Sequence, residues 1–143
     1  MQLKAATLFF GLLFLGCAAP GVYKQDPIFA SAIAEYRMLF DAPVNYDVVF
    51  VDSLPGETVG ICHRGIITYV HISREAYAEF NDCQREQLLF HEMSHCSFGV
   101  KHRDVSKSDE MPDSIMSTYI ISGNYYCAHR DQYIEQLRSM IYR

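Results

Sequence analysis

Two histidines and a glutamate lie close together in the chain, with a spacing that suits a metal ion. The segment reads His91-Glu92-Met93-Ser94-His95, which is H-E-x-x-H in full. Histidines four positions apart lie one turn apart on the same face of a helix, so both imidazoles can reach one zinc ion. A glutamate directly after the first histidine can reach a metal-activated water as a general base. The segment therefore predicts a zinc site with hydrolytic chemistry.

A catalytic zinc ion also needs a third protein ligand and an open position for water. His102 is the favoured candidate because it follows His95 by seven residues, with Gly99 between them. A glycine there lets the chain turn sharply out of the helix and bring the third ligand under the metal. Asp104 and Glu110 are the alternatives, since a carboxylate oxygen also binds zinc. The other histidines are expected to be ordinary strand, turn and helix residues: His71, His63 and His129.

The stretch over residues 91–102 resembles the zinc motif of the metzincin metallopeptidases, H-E-x-x-H-x-x-G-x-x-H. Gly99 and His102 each come one position later here than in that pattern. The chain is also similar to small bacterial and phage proteins predicted to be metallopeptidases, which share H-E-x-x-H-C, a later histidine and then S-I-M. The resemblance implies Zn²⁺ as the cofactor and the three motif histidines as its ligands.

Two features after the zinc motif extend the resemblance. The triplet Ser114-Ile115-Met116 is similar to the methionine turn of the metzincins. The resemblance implies that Met116 forms an apolar floor under the metal and does not bind it. Tyr119 is similar to the tyrosine near that turn in astacin-like enzymes, which implies that it stabilises the oxyanion formed during peptide attack.

The function implied by the resemblance is that of a zinc-dependent endopeptidase acting on peptide or protein substrates. Glu92 would be the general base for a metal-activated water. The alternative is a non-catalytic lipoprotein in which zinc stabilises a binding or scaffold module. Glu92 is not a metal ligand in this motif, and structural zinc usually has four protein ligands, which favours the enzyme. A third hypothesis directs the same chemistry at cell-wall peptide cross-links, although the sequence shows no sugar- or wall-binding module.

The elements that must position these residues follow from hydrophobic periodicity and from helix and turn signals. The motif helix is expected to begin at a cap, Asn81 or Asp82, and to end at Gly99, and residues 100–123 are expected to be a loop. Predicted helices cover residues 27–40, 82–97 and 125–141, and predicted strands cover residues 46–51, 58–63 and 66–72. The fold class is α+β. Together with the resemblance, this implies a minimal metzincin-like (zincin) domain with a short mixed sheet, an active-site helix, a methionine turn and a C-terminal helix.

The second and third predicted strands are expected to form a hairpin before the motif helix. In metzincins an edge strand of the sheet borders the cleft and pairs with the substrate backbone. The resemblance makes residues 66–72 the candidate for that strand.

The first residues of the chain have the composition of a targeting segment. Lys4 precedes an apolar stretch over residues 5–15, which is shorter than the roughly 20 residues that span a bilayer. Residues 14–17, Phe-Leu-Gly-Cys, resemble a bacterial lipobox, which implies cleavage before Cys17 and a lipid on that cysteine. Ordinary secretion with cleavage after Ala18 is the alternative.

These features divide the chain into a signal peptide over residues 1–16, a linker over residues 17–24 and a zinc metallopeptidase domain over residues 25–143. The protein is expected to be exported and lipid-anchored to the cell envelope, at the outer membrane in a double-membraned bacterium. If the lipobox is not used, the expected location is soluble and secreted.

Four cysteines remain after Cys17 leaves the fold: Cys62, Cys83, Cys96 and Cys127. An even number in an exported chain indicates disulfides. Cys83 and Cys96 are thirteen residues apart on one predicted helix, hence about 20 Å apart, whereas a disulfide needs Cα atoms within about 7 Å. Two pairings stay open, namely Cys62–Cys96 with Cys83–Cys127, or Cys62–Cys83 with Cys96–Cys127.

Length and charge limit the remaining possibilities. A chain of 143 residues suits a single domain, and a hydrophobic fraction of 50% suits a packed core. The formal net charge of −5 makes nucleic acid an unsuitable partner, because a phosphate-binding face needs clustered lysine and arginine.

Overall fold

One helix, three short strands and four further helices follow one another along the described residues, and the H-E-x-x-H segment lies on the longest of these helices. A computed structural model describes residues 22–104 and 114–143; the predicted signal peptide, Cys17 and Glu110 lie outside these residues. The helices are α1 (Ala30–Phe40), α2 (Arg74–Glu79), α3 (Asp82–Phe98), α4 (Gly123–Ala128) and α5 (Arg130–Ile141), and a 3-10 turn, Pro27–Phe29, precedes α1. The strands are β1 (Asp47–Val51), β2 (Gly60–His63) and β3 (Tyr69–Ser73). The described residues thus form a small α+β domain with a three-stranded mixed sheet.

Two helical features differ from the prediction. The short helix α2 was not predicted; it begins directly after β3, where the Ser73 side chain accepts a hydrogen bond from the Ala76 amide at 3.3 Å. The predicted final helix over residues 125–141 is divided into α4 and α5 at His129, which has φ −120° and ψ 17°. Hydrophobic spacing continues through this break, so the spacing alone predicts one helix.

The sheet has β3 at its centre, in the order β1-β3-β2. β3 pairs in parallel with β1 and antiparallel with β2, so the predicted hairpin is confirmed. The prediction that residues 66–72 form an edge strand is wrong, because β1 occupies the second side of β3. Of the two strands in the hairpin, β2 is the one that lies at an edge of the sheet.

Helix α3 is fixed at both ends by its own sequence. The Asn81 side chain accepts from the Gln84 amide at 3.1 Å, and the Gln84 side chain accepts from the Asn81 amide at 3.3 Å, which is a capping box. Gly99 ends the helix in the left-handed region, with φ 68°, and its amide donates to the His95 carbonyl oxygen at 3.0 Å. Both predicted boundaries of the motif helix are therefore confirmed.

The packing around α3 is aromatic and includes buried hydroxyl groups. The rings of Tyr36, Phe40 and Phe90 lie within 4.8–5.9 Å of one another, centroid to centroid. The Tyr36 hydroxyl lies 3.0 Å from Oγ of Ser94, and the Ser94 hydroxyl also donates to the Phe90 carbonyl oxygen at 2.7 Å. These contacts hold α3 against α1.

Two disulfides connect the described parts of the chain, Cys62–Cys96 and Cys83–Cys127, with Cα–Cα distances of 5.6 Å and 5.7 Å. This is one of the two pairings left open by the sequence. One bridge ties β2 to α3, and the other ties the first turn of α3 to α4. Disulfides of this kind are typical of exported proteins in an oxidising environment. Within residues 22–104 and 114–143, no helix has the length and apolar character needed to cross a membrane.

Candidate metal centre

Three histidine side chains converge at the carboxyl-terminal end of α3. The Nε2 atom of His91 lies 3.0 Å from Nε2 of His95 and 3.1 Å from Nε2 of His102, and the distance between the last two is 3.1 Å. These atoms are close enough to hold one metal ion. His91 is buried, His95 is half-buried and His102 is exposed, so the group leads from the protein interior to solvent.

The other ring nitrogens of His91 and His95 determine where the lone pairs point. Nδ1 of His91 lies 2.9 Å from the Ile115 carbonyl oxygen, and Nδ1 of His95 lies 2.5 Å from the Val100 carbonyl oxygen. Because a carbonyl oxygen only accepts, each Nδ1 carries the proton and each Nε2 keeps its lone pair. Burial lowers the pKa of His91 to about 4 and also lowers the pKa of His95, so both rings are neutral near pH 7.

The triangle of Nε2 atoms fits a shared cation. Lone pairs that face each other at 3.0 Å, as those of His91 and His95 do, repel unless a positive charge lies between them. Zn–N bonds of about 2.0–2.1 Å place tetrahedral neighbours about 3.3 Å apart, close to the observed separations. Three histidines fit zinc, and they also suit other divalent metals that accept imidazole nitrogen.

Backbone contacts after α3 bring His102 to the other two histidines. The left-handed conformation of Gly99 turns the chain away from the helix axis. The Arg103 amide then donates to the Met116 carbonyl oxygen at 2.9 Å, which attaches the segment carrying His102 to the turn at residues 114–117. The glycine was identified from the sequence, whereas the contact with the turn could not be.

Asp104, one of the alternatives for the third ligand, is bonded to the same turn. One of its carboxylate oxygens accepts from the Thr118 amide at 2.7 Å, the Thr118 hydroxyl at 3.0 Å and the Ser117 hydroxyl at 3.2 Å. The Thr118 amide holds the pKa of Asp104 below its usual value. Asp104 is not a member of the group that could hold a metal, and Glu110, the other alternative, lies outside the described residues.

The predicted methionine turn lies against the histidines through its backbone. The Ser117 amide donates to the Ser114 carbonyl oxygen at 3.0 Å, and the Met116 amide donates to Oγ of Ser114 at 3.0 Å. The Met116 side chain is completely buried. The carbonyl groups of Ile115 and Met116 accept from the His91 ring and from the segment that carries the third histidine. The turn therefore supports two of the three histidines.

Glu92 lies beside the three converging histidines, in a close-packed position. Its side chain is only 6% exposed, and burial raises the pKa of its carboxyl group from 4.5 to about 7, although a hydrogen bond from the Cys62 backbone lowers it slightly. A Cβ atom on Gly60 would lie 2.9 Å from Cγ of Glu92 and 3.0 Å from Oε1. Only glycine at position 60 lets strand β2 approach the carboxyl group so closely.

A cleft of about 680 Å³ opens over this group of residues. One wall is formed by residues 57–62, which include most of the edge strand β2, and the other walls come from α3 and from Ser117, Thr118 and Ile120. His91, Glu92 and His95 line the cleft together with His102. No sequence pattern places Gly60 or the nearby Arg64 here, because their proximity to α3 depends on how the hairpin packs.

Tyr119 and the other histidines do not join this group. Tyr119 is 55% exposed and is not among the described residues that line the cleft, so its role in stabilising an oxyanion stays a prediction. His63 and His71 lie on β2 and β3, where they stack on either side of the Tyr69 ring, and His129 lies between α4 and α5. None of these three belongs to the group of described residues that could hold a metal ion.

No protein-family model, curated protein or solved structure matches the chain. The described residues form a small α+β domain with a histidine group that could hold a metal ion.

Proposed function

We propose that this protein is a zinc-dependent endopeptidase of the metzincin-like type. The observation that carries the proposal is the position of the Glu92 carboxyl in the same open cleft as three converging imidazoles. A buried carboxyl next to a three-ligand metal site is the arrangement used for metal-assisted hydrolysis. The methionine turn that contacts His91 further supports the metzincin-like assignment.

The ligands themselves favour a catalytic site over a structural one. His91, His95 and His102 would hold the ion. When bound, zinc supplies Lewis-acid activation of water and of the substrate carbonyl group. A structural site usually has four protein ligands, often thiolates. Cys96, which follows the second histidine directly, is bonded to Cys62 and offers no thiolate.

Glu92 is suited to move the proton that peptide hydrolysis requires. Its carboxyl group, with a pKa near 7, can accept a proton from a water molecule in the cleft. The oxygen of that water adds to the carbonyl carbon, the C–N bond breaks, and the proton passes from Glu92 to the leaving amine nitrogen. One side chain then acts as base and acid in turn.

The edge strand gives an extended peptide a place to bind. β2 lies at the edge of the sheet and its residues 60–62 line the cleft, so a peptide in the cleft would lie beside this strand. A peptide that adds to this edge as a strand would run past Glu92, because Gly60 of β2 contacts that side chain. Recognition through the backbone fits a peptide or protein substrate.

The place of action that we propose is the cell envelope. The two disulfides among the described residues support an exported protein. The lipobox-like sequence ending at Cys17 supports a lipid anchor. Labelling with radioactive fatty acid tests this anchor: we expect the wild-type chain to incorporate the label and Cys17→Ser not to do so.

The activity is tested by metal analysis combined with a substrate screen. We expect the purified chain to bind about one zinc ion and to cleave members of a quenched peptide library, since three histidines and a general base suffice for this chemistry. Removal of the metal with a chelator should abolish cleavage, and added zinc should restore it. His102→Ala should weaken zinc binding, whereas the exposed strand residue His63→Ala is the matched control and should not. Zinc binding without cleavage of any peptide would favour the scaffold alternative.

A further inference from the structure

The cleft contains a cationic side chain that the proposed mechanism does not use. Arg64 follows β2 at the start of the hairpin loop and is the one lysine or arginine among the described residues that line the cleft. Its side chain is exposed to solvent. Arg64 therefore presents a permanent positive charge inside the space proposed for substrate.

The guanidinium of Arg64 lies against the end of the metal-binding helix. A Cβ atom on Gly99 would collide with Nη1 of Arg64 and would lie 3.1 Å from its Cζ. The Gly99 amide is hydrogen-bonded to the carbonyl oxygen of His95, so the guanidinium lies about one helical turn from a metal ligand. The negative end of the helix dipole favours a cation at this place.

Arg64 also lacks an acidic partner within the part of the chain that the structure describes. Arg85, Arg130 and Arg138 each form an ion pair with a carboxylate, at a distance of 4.0 Å or less, and no such pair includes Arg64. Glu57, which lines the same cleft, is not paired with it. Among the residues that the structure describes, no carboxylate thus neutralises this guanidinium.

We propose that Arg64 binds a carboxylate of the substrate and so makes the cleft selective for anionic peptides. The planar guanidinium can donate two parallel hydrogen bonds to one carboxylate, which rigidly fixes the position of that group. The carboxylate comes either from an acidic side chain or from a free C-terminus, and the chemistry of binding is the same. The inference rests on the proposed function, because it assigns a specificity to the same cleft.

Zinc-binding peptide hydroxamates test the inference without requiring turnover. The probes are made in pairs that differ by one carboxylate. In three pairs, Asp or its uncharged isostere Asn stands at one of three successive positions, and in a further pair the C-terminus is either a free acid or an amide. With the zinc-loaded chain, calorimetry should show one carboxylate-bearing probe binding about tenfold or more tightly than its isostere, as expected for charge-assisted hydrogen bonds. The position at which this occurs separates a side-chain carboxylate from a C-terminal one.

Two variants assign the preference to Arg64. In Arg64→Ala the two isosteres should bind equally, and in Arg64→Lys part of the preference should remain. Lys101→Ala is the matched control, since it removes a nearby positive charge from an exposed residue outside the cleft lining and should leave the preference intact. Thermal melting of each variant checks that the fold is retained.

The inference would be overturned by isosteres that bind wild type equally at every position, by a preference that persists in Arg64→Ala, or by binding of none of the probes. A loss of preference in Lys101→Ala equal to that in Arg64→Ala would also overturn it. Such a result would show that the preference comes from the overall positive electrostatic potential and not from a direct contact with Arg64. An Arg64-dependent preference in a chain that cleaves no peptide would refute the peptidase proposal alone, and peptide cleavage without any preference would refute only the role of Arg64.

Discussion

Replacing Glu92 with glutamine in the metal-free chain should make the protein more stable at neutral and alkaline pH. The Glu92 side chain is buried against Gly60, and burial raises the pKa of its carboxyl group from 4.5 to about 7. Glutamine has nearly the same shape and carries no charge. The substitution therefore removes the cost of a buried carboxylate and leaves the packing nearly unchanged.

The size and the pH range of the effect follow from that pKa. Below pH 4.5 the carboxyl group is protonated in the folded and the unfolded chain, and it adds no pH dependence. Between pH 4.5 and about 7 the folded chain binds more protons than the unfolded chain, so the stability of wild type falls as the pH rises. Each pKa unit corresponds to about 1.4 kcal/mol, so Glu92→Gln should gain about 3 kcal/mol above pH 7.5 relative to pH 4.

Urea unfolding of chelator-treated wild type and Glu92→Gln, at a series of pH values from about 4 to 8.5, measures this difference. His91 has a lowered pKa, so its contribution to stability is lost as the pH falls through the range from 6.5 to about 4. That loss occurs in both chains and cancels in the comparison. A difference between the two chains that does not change with pH would refute the reasoning that Glu92 is held in a desolvated site.

Three other changes test how the cleft and the fold are held together. Gly60→Ala should push the Glu92 carboxyl aside and lower kcat by about 10–100-fold, with unchanged zinc content, because the new methyl would lie 2.9 Å from Cγ; unchanged turnover would contradict the contact. Asp104→Ala should weaken zinc binding about 10–100-fold in competition with a chromophoric chelator, since this carboxylate anchors the segment carrying the third histidine. Replacing both Cys83 and Cys127 with serine opens a link between residues 44 apart and should lower the free energy of unfolding by about 2–4 kcal/mol, as measured in urea. An unchanged unfolding midpoint would contradict that role for the bridge.

Local signals allowed α3 and two of the three converging histidines to be predicted from the sequence. The capping residue Asn81 and the terminal Gly99 act within one turn of the helix, and both do so as expected. The four-residue spacing of His91 and His95 brings their rings together on any regular helix. The length of the predicted helix also excluded a Cys83–Cys96 bridge, and the observed pairing of each of these cysteines with another one confirms that exclusion.

Contacts between distant segments could not be predicted in the same way. The central position of β3 depends on parallel pairing with β1, which is separated from it in the chain by β2, and no local pattern encodes that pairing. Gly60 and Arg64 reach α3 only because the hairpin packs against it. The approach of His102 depends on the Arg103–Met116 backbone contact, so the sequence left carboxylates as alternatives.

The central claim, that Glu92 and a zinc ion held by three histidines hydrolyse peptide bonds, is tested most directly by comparing two zinc-loaded chains. Wild type and Glu92→Gln are brought to equal zinc content, and their turnover is measured on the best substrate from the peptide library. General-base catalysis contributes about 10²–10⁴-fold, so Glu92→Gln should be slower by that factor while it retains its zinc. Equal turnover by the two chains, or no turnover by zinc-loaded wild type on any peptide, would contradict the account.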